Sequence, residues 1–274
     1  MSISPSQRVE GIAERVAALD WYHTFDLPGG LVTPGFFDHR RVVTKLPIPA
    51  SLAGKRCLDA ASADGFFAFE LARRGAAEVV SVDLADTTRQ DWQTGPRDLP
   101  ARAKSTGRAA KAFAVVRDAT GLDVERVDLS LYDVSPECLG TFDFVFMGNI
   151  LLHLQDPARA LLALRSVTAT DGTLLSYEAI NLVLSVLRPF RPAAQLWHDD
   201  DPQWWTHNLQ GFHRLLRAGG WEVERTGGPL FQAFGSRWPR WPPHRPRTLS
   251  ELVFWTCTRQ AGGPTAWALC RPCH

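Results

Sequence analysis

The sequence predicts an α/β fold, a mainly parallel sheet with helices on both faces, and three observations carry that expectation. Cys57 to Ala60 and Glu78 to Val82 read as strands joined through a helix at Phe66 to Arg74, one right-handed parallel unit. Thr141-Phe142-Asp143-Phe144-Val145-Phe146-Met147 is a near-continuous apolar run, the pattern of a strand buried on both faces. Strand and helix patterns keep alternating through Glu178.

In chain order, residues 5 to 19 form an amphipathic helix, with Val9, Ile12, Val16 and Leu19 at helical spacing. Asp20 to Gly30 is aromatic, polar and turn-rich. A segment of that kind ahead of a ligand-binding core can fold over the site as a lid, with Trp21 as its anchor. Pro34 can open a short helix that Leu46-Pro47 closes, with Arg40 and Arg41 inside it. A buried arginine there would need an anion, and the carboxylate of a cofactor would serve.

The central stretch is Asp59-Ala60-Ala61-Ser62-Ala63-Asp64-Gly65, a turn of small residues between a strand and the helix that stops at Gly75. Backbone can approach a ligand closely only where side chains are small. Asp83, followed by Leu84, ends the next strand, where an acid can accept hydrogen bonds from both ribose hydroxyls. That much suits NAD or S-adenosylmethionine alike. A pyrophosphate binder wants G-x-G-x-x-G, whereas this turn reads Asp59-x-Ala61-x-Ala63-x-Gly65, with the acid leading. Alanine tolerates positive φ poorly, so Ala61 and Ala63 are expected at negative φ.

Asp86 to Thr106 reads as a loop, Ala109 to Asp118 as a helix and Val124 to Leu131 as a strand. After the apolar strand come Gly148-Asn149 and His153, a helix from Pro157 to Val167 and a strand from Gly172 to Glu178. Residues 181 to 210 break the alternation with Trp197, His198, Trp204, Trp205 and His207, where an inserted cap would close over an acceptor. Such tryptophans suggest a flat aromatic ligand surface. Asp199 to Asp201 read as a solvated turn rather than a metal site. Leu209 to Leu216 is a helix and Trp221 to Arg225 a strand. Residues 231 to 247 form a long surface loop, and Leu252 to Thr258 and Ala266 to Cys270 are strand-like, one of them pairing with the strand at 221.

The 274 residues carry a net charge of +1, which leaves no electrostatic footprint for nucleic acid or a membrane surface. No apolar run approaches a membrane span, and the N-terminus is not signal-like, so a cytoplasmic protein is expected. The odd count of five cysteines points to free thiols. Cys270-x-x-Cys273-His274 matches a haem-attachment pattern only nominally, and no metal is expected.

The Asp59-to-Gly65 turn resembles the D-x-G-x-G-x-G loop of class I S-adenosylmethionine-dependent methyltransferases, with two glycines replaced by alanine. Trp21-Tyr22-His23, the Thr33-to-Pro47 segment, Asp83, and Met147-Gly148 through His153 with Asp156-Pro157 follow in order. Together they are similar to methyltransferases related to the bacterial tRNA wobble-uridine carboxymethyltransferase. The resemblance covers about residues 20 to 225. It implies a Rossmann-like core of seven strands and S-adenosylmethionine as cofactor. It places Phe36 and Arg41 beside that cofactor, with Asp59, Ala61, Ala63, Gly65 and Gly148, Asp83 on the ribose, and Leu129-Ser130 near the adenine. His23 and Leu152 stand where the tRNA enzyme uses a lysine and a tyrosine for the extra carboxyl group of its special cofactor, which implies plain S-adenosylmethionine here. The Trp-Tyr-His segment and the P-G-x-F-D-x-R pattern at Pro34 to Arg40 also resemble actinobacterial secondary-metabolite methyltransferases. Among these are enzymes that methylate indole C3 in tryptophan-containing diketopiperazines, giving pyrroloindolines.

On this reading residues 1–50 form an N-terminal helical lid, 51–180 the cofactor-binding core, 181–210 the cap and 211–274 the rest of the core. The acceptor is a small aromatic molecule against Trp21, Asn149, Trp197, His198, Trp204 and Trp205. Candidate proton acceptors are Tyr22, His23, His153 and His207. A tRNA-modifying enzyme, a non-catalytic cofactor binder and, more weakly, a nicotinamide oxidoreductase are the rival readings. The sequence leaves the oligomeric state open.

Overall fold

Along residues 57–60, 79–82 and 144–147, successive side chains enter two different cores, as the two-residue period of a strand dictates. Cys57, Val79, Phe144 and Phe146 join Phe69, Leu71, Phe113 and Val116 on one side. Leu58, Val80, Val82, Val145 and Met147 join Leu161, Leu164, Phe212 and Leu216 on the other. The sheet is therefore sandwiched between two helical layers.

The computed structural model describes residues 5–93, 106–197, 203–238 and 262–273. Helix α1 (Pro5–Ala17) precedes strands β1 (Trp21–His23), β2 (Asp26–Leu27), β3 (Leu31–Val32) and β4 (Gly35–Asp38). The core runs β5 (Arg56–Ala60), α2 (Phe66–Arg73), β6 (Glu78–Asp83), α3 (Arg108–Thr120), β7 (Glu125–Asp128), α4 (Pro136–Leu139), β8 (Phe142–Gly148), α5 (Pro157–Ser166) and β9 (Thr168–Ala179). Helix α6 (Leu182–Leu187) and the hairpin of β10 (Ala194–Leu196) with β11 (Trp205–His207) stand in the position of the expected cap. Helix α7 (Leu209–Ala218), β12 (Trp221–Phe234) and β13 (Gly263–Pro272) complete the described chain.

The main sheet has the order β1-β4-β12-β13-β9-β8-β5-β6-β7. From β9 to β7 every pairing is parallel, and β13 lies antiparallel between β9 and β12. The chain winds outward from β5 through β6 to β7, then returns to β8 on the other side of β5. That reversal leaves a crevice outside the carboxyl ends of β5 and β8, the place where ligands of such sheets sit.

Among the described residues the sheet has nine strands rather than seven, because β4 pairs antiparallel with the end of β12 and β1 pairs parallel with β4. The α-helix of the N-terminal segment is thus confined to its start, and the rest is short strands with 3-10 turns at Pro28–Gly30 and Val43–Lys45. The helix expected to open at Pro34 is absent: Gly35 to Asp38 is strand, and the only helical turn before Pro47 in this stretch is a short 3-10 turn at Val43–Lys45. Close approach explains the strand, since a Cβ at Gly35 would lie 2.3 Å from the backbone of His23 and Thr24. Residues 231–234, expected in a loop, extend β12. The strand expected at Ala266 to Cys270 does pair with the strand at 221, within β13. The strand expected at Leu252 to Thr258, like His198 and Asp199 to Asp201, lies outside the described residues.

Candidate active site

The turn after β5 is held in place from below. Ala61 and Ser62 donate their N–H groups to the Val82 carbonyl at 2.8 and 3.2 Å, and Gly65 N–H reaches the Ser62 carbonyl at 2.7 Å. The hydroxyls of Ser62 and Ser81 meet at 2.5 Å. Asp59 accepts a 2.8 Å hydrogen bond from the Ala68 N–H at the start of α2. Contrary to expectation, Ala61 and Ala63 both take positive φ, +63° and +49°, beside Gly65 at +89°. The turn keeps the backbone shape that glycine would adopt freely, and the hydrogen bonds to Val82 and Ser62 hold it there.

Asp83 closes the crevice at the end of β6. It accepts hydrogen bonds from Ala63 N–H at 2.5 Å and Leu84 N–H at 2.7 Å, and Arg126 Nη2 stands 3.8 Å away. Arg126 also donates to the Ala63 carbonyl at 2.6 Å and lies over the Phe113 ring. Burial raises the Asp83 pKa, and Arg126 with the two amides opposes the rise. Asp59 is pushed up to about 7, chiefly by burial, with the charges of Asp83 and Asp64 adding to it against the Ala68 amide and Arg126.

A cavity of about 690 Å³ opens above these residues. Its lining includes Asp83, Leu84, Ala85, Leu129, Ser130 and Tyr132, together with Tyr22, His23, Phe36, His39, Phe67, Phe146, Gly148 and Asn149. Gly148 is tight, since a Cβ there would lie 2.7 Å from the Phe146 ring, which itself stacks on Phe67. Asn149 sits at φ +51° and gives its amide N–H to Gln232 Oε1, while its own Oδ1 has no partner among the described residues. The Tyr22 phenol is held protonated by desolvation at the cavity and by the carboxylates of Asp64 and Asp83, although the residue is 38% exposed overall. His39 is held neutral by burial and by the neighbouring His23.

Of the residues the sequence singles out, Trp21, Tyr22, His23, Phe36, Asp59, Ala61, Ala63, Asp83, Leu84, Leu129, Ser130, Gly148, Asn149 and His153 line this cavity. Gly65 supports it from beneath as the residue before α2. Others lie elsewhere. Arg41 is exposed, and Arg40 is engaged by Asp38 and Asp26 at 2.7 and 2.6 Å, so neither reaches the cavity. Trp197, Trp204, Trp205 and His207 are not on its wall either. Trp204 instead braces the hairpin, donating from Nε1 to the Asp91 carbonyl at 2.8 Å and from its N–H to the Leu152 carbonyl. His207 is half-buried in the hairpin, and burial pulls its pKa to about 4. His39, Asp64, Phe67, Tyr132 and Phe146 were not singled out. Period-two alternation from Phe37 would have carried His39 inward, but the helix expected at 33–47 hid that signal.

Residues 38–226 match the family model of a methyltransferase domain. The chain belongs to this family. Over 133 residues the methyltransferase is 28% identical to ubiquinone biosynthesis O-methyltransferases from two Neisseria meningitidis strains, a stretch that is 48% of this chain and 47% of theirs. The chain thus spans about half the length of the curated relatives it matches. A chain of the Haloferax volcanii complex between the Trm112 methyltransferase activator and a methyltransferase shares the fold, with a TM-score of 0.50 at 12% identity, over 86% of this chain and 88% of that one.

The residues lining the cavity fit S-adenosylmethionine, the cofactor expected from the sequence. Asp83 lines the cavity, and each of its oxygens, which accepts one amide, has capacity for a further donor such as a ribose hydroxyl. Leu84, Leu129 and Ser130 offer a slot beyond it. Asp59 is a buried acid on the cavity lining, and the ammonium and sulfonium of the cofactor would favour its ionised form there. No group of three metal-ligating side chains occurs among the described residues. No described helix is long and apolar enough to cross a membrane.

Proposed function

We propose that the chain transfers a methyl group from S-adenosylmethionine to a small planar aromatic acceptor, and that the acceptor is a metabolite rather than a tRNA. One observation carries this reading: the cavity that holds the Asp83 carboxylate is also lined by the rings of Tyr22, Phe36, Phe67 and Phe146. Flat apolar walls with a few polar atoms, here on His23, His39 and Asn149, suit a ring bearing N–H or O–H groups. A volume near 690 Å³ falls in the range of about 300–1,000 Å³ of small-molecule pockets. The near-neutral charge supports a metabolite over a polyanion.

Within that class we favour indole C3 of a tryptophan-containing diketopiperazine, on the resemblance of the Trp21-Tyr22-His23 and Pro34-to-Arg40 segments. A phenolic oxygen is the second reading, favoured by the name of the curated relatives, which are O-methyltransferases. Alignment of donor and acceptor does most of the chemistry in an in-line displacement, and Tyr22, His23, Phe36 and His39 of the N-terminal segment give the site a wall that helps exclude water. Incubation with methyl-tritiated cofactor and a panel of indoles, diketopiperazines, phenols and amines, read by mass spectrometry and product NMR, tests the proposal. A C-methylated indoline supports the first reading and an aryl methyl ether the second. Label transferred only to tRNA would overturn both.

A further inference from the structure

Asp64 lies in the turn between Ala63 and Gly65, wholly buried although the turn borders an open cavity. It spends both carboxylate oxygens on the strand across from it. Oδ2 accepts the backbone N–H groups of Tyr22 and His23 at 2.8 and 2.9 Å, and Oδ1 meets Nδ1 of the His23 ring. A carboxylate in that position accepts, so Nδ1 carries the hydrogen and the lone pair is left on Nε2. Nε2 makes no hydrogen bond among the described residues. The ring is wedged against Phe66 and His39, with centroids 5.6 and 4.8 Å away, so its aim is fixed. His23 is nearly buried yet reaches the cavity wall. Tyr22 beside it is held protonated and cannot take a proton.

We propose that His23 accepts the proton the methyl acceptor gives up, and that Asp64 is the positioning residue that holds His23 in the right tautomer and orientation. This rests on the methyltransferase reading above. As the acceptor's electron pair bonds to the methyl carbon, the S–CH3 bond would break with its pair retained by sulfur as a neutral thioether, and the acceptor would take over the positive charge. The lone pair of His23 Nε2 forms a new N–H bond to the departing proton, and the electrons of the broken acceptor N–H or O–H bond stay on the acceptor. The imidazolium is stabilised by Asp64 and returns its proton to water when the product leaves.

The test uses the full chain in two measurements. In protein labelled with ¹⁵N-histidine and bound to S-adenosylhomocysteine, the ring signals lost in His23→Gln should show hydrogen on Nδ1 and a bare Nε2, and Asp64→Asn should shift them. Hydrogen on Nε2 would overturn the proposal whether or not an acceptor has been found. With an acceptor in hand, His23→Ala should lower kcat by about 10²–10⁴-fold, the usual reach of general base catalysis. Added imidazole should restore part of that loss. Asp64→Asn should lower kcat with KM changed little, provided cofactor binding by calorimetry shows that it folds. A His23→Ala enzyme as active as the wild type sinks this inference alone, whereas a wild type that methylates nothing sinks the functional reading.

Discussion

The carboxylate of Asp83, at the end of one strand, takes a 2.5 Å hydrogen bond from the backbone N–H of Ala63, in the turn after the neighbouring strand. The two walls of the cofactor crevice are therefore tied to each other before any ligand arrives. The same carboxylate also accepts from Leu84 and faces Arg126, so its orientation is set by three partners from three segments. Asp83→Asn removes the charge and one acceptor oxygen while keeping the size. Hydrogen bonds to charged groups are worth about 1.5–3 kcal/mol, so the Kd for S-adenosylmethionine should rise about 10- to 150-fold. Titration calorimetry reads this directly, and an unchanged Kd would show that Asp83 does not hold the sugar.

The alanines of the turn give a prediction of opposite sign. Ala61 at φ +63° sits where an L-residue costs about 1–2 kcal/mol relative to glycine, whereas a new glycine loses about 0.4–1 kcal/mol through unfolded-state entropy. The first effect is larger, so Ala61→Gly should stabilise the protein by roughly 0.5–1 kcal/mol, or about 1–4 °C in Tm for a chain of this size. A drop in Tm on differential scanning would mean that the methyl group makes packing contacts worth more than the strain.

That turn also marks where the sequence could be read and where it could not. The strand–turn–helix–strand pattern from Cys57 to Asp83 is local, and its hydrophobic periods are enough to place it. The φ angles of Ala61 and Ala63 are held by hydrogen bonds of their N–H groups to Val82 and Asp83, partners about 20 residues away that no local propensity contains. The 33–47 segment failed for a related reason. Pro34 can start a helix, but Gly35 is there so that β4 can pass within contact distance of β1, a tertiary fact. The cap tryptophans misled because an indole N–H that braces a loop, as in Trp204, looks the same in sequence as one that faces a ligand. Asp64 gives no local signal because its partners, Tyr22 and His23, are 42 and 41 residues away.

Gly65 is the one position of the turn where side-chain volume, as well as φ, is forbidden. Its φ is +89°, and a Cβ would lie 2.5 Å from the Phe113 ring and 3.1 Å from that of Phe69, both packed in the core. Gly65→Ala therefore adds overpacking, typically about 1–3 kcal/mol, to a backbone cost of about 1–2 kcal/mol. The sum, about 2–5 kcal/mol, should lower Tm by roughly 4–20 °C. Ala61→Gly in parallel is the control, since it should move Tm the other way. Equal stability of Gly65→Ala and wild type would show that Phe113 can swing aside at no cost.

Asp59 carries the pH dependence. Its pKa of about 7 in the folded protein lies above the ordinary value of 3.8, so the folded state holds that proton more tightly than the unfolded chain does. The sign follows: the cost of burying the carboxylate is absent below about pH 4, grows between about pH 4 and 7, and is complete above that. Three pH units correspond to at most about 4 kcal/mol. Ligand-free Asp59→Asn should accordingly match the wild type in stability at pH 4 and exceed it at pH 8, by an amount approaching that ceiling. A cationic cofactor favours the ionised carboxylate, so binding at pH 6 should release protons and tighten as pH rises toward 7. Calorimetry of S-adenosylmethionine binding in buffers of different ionisation enthalpy measures that release. Proton uptake, or a mutant no more stable than wild type at pH 8, would mean that Asp59 is already ionised and paired in the free protein, and that the positive end of the cofactor rests elsewhere.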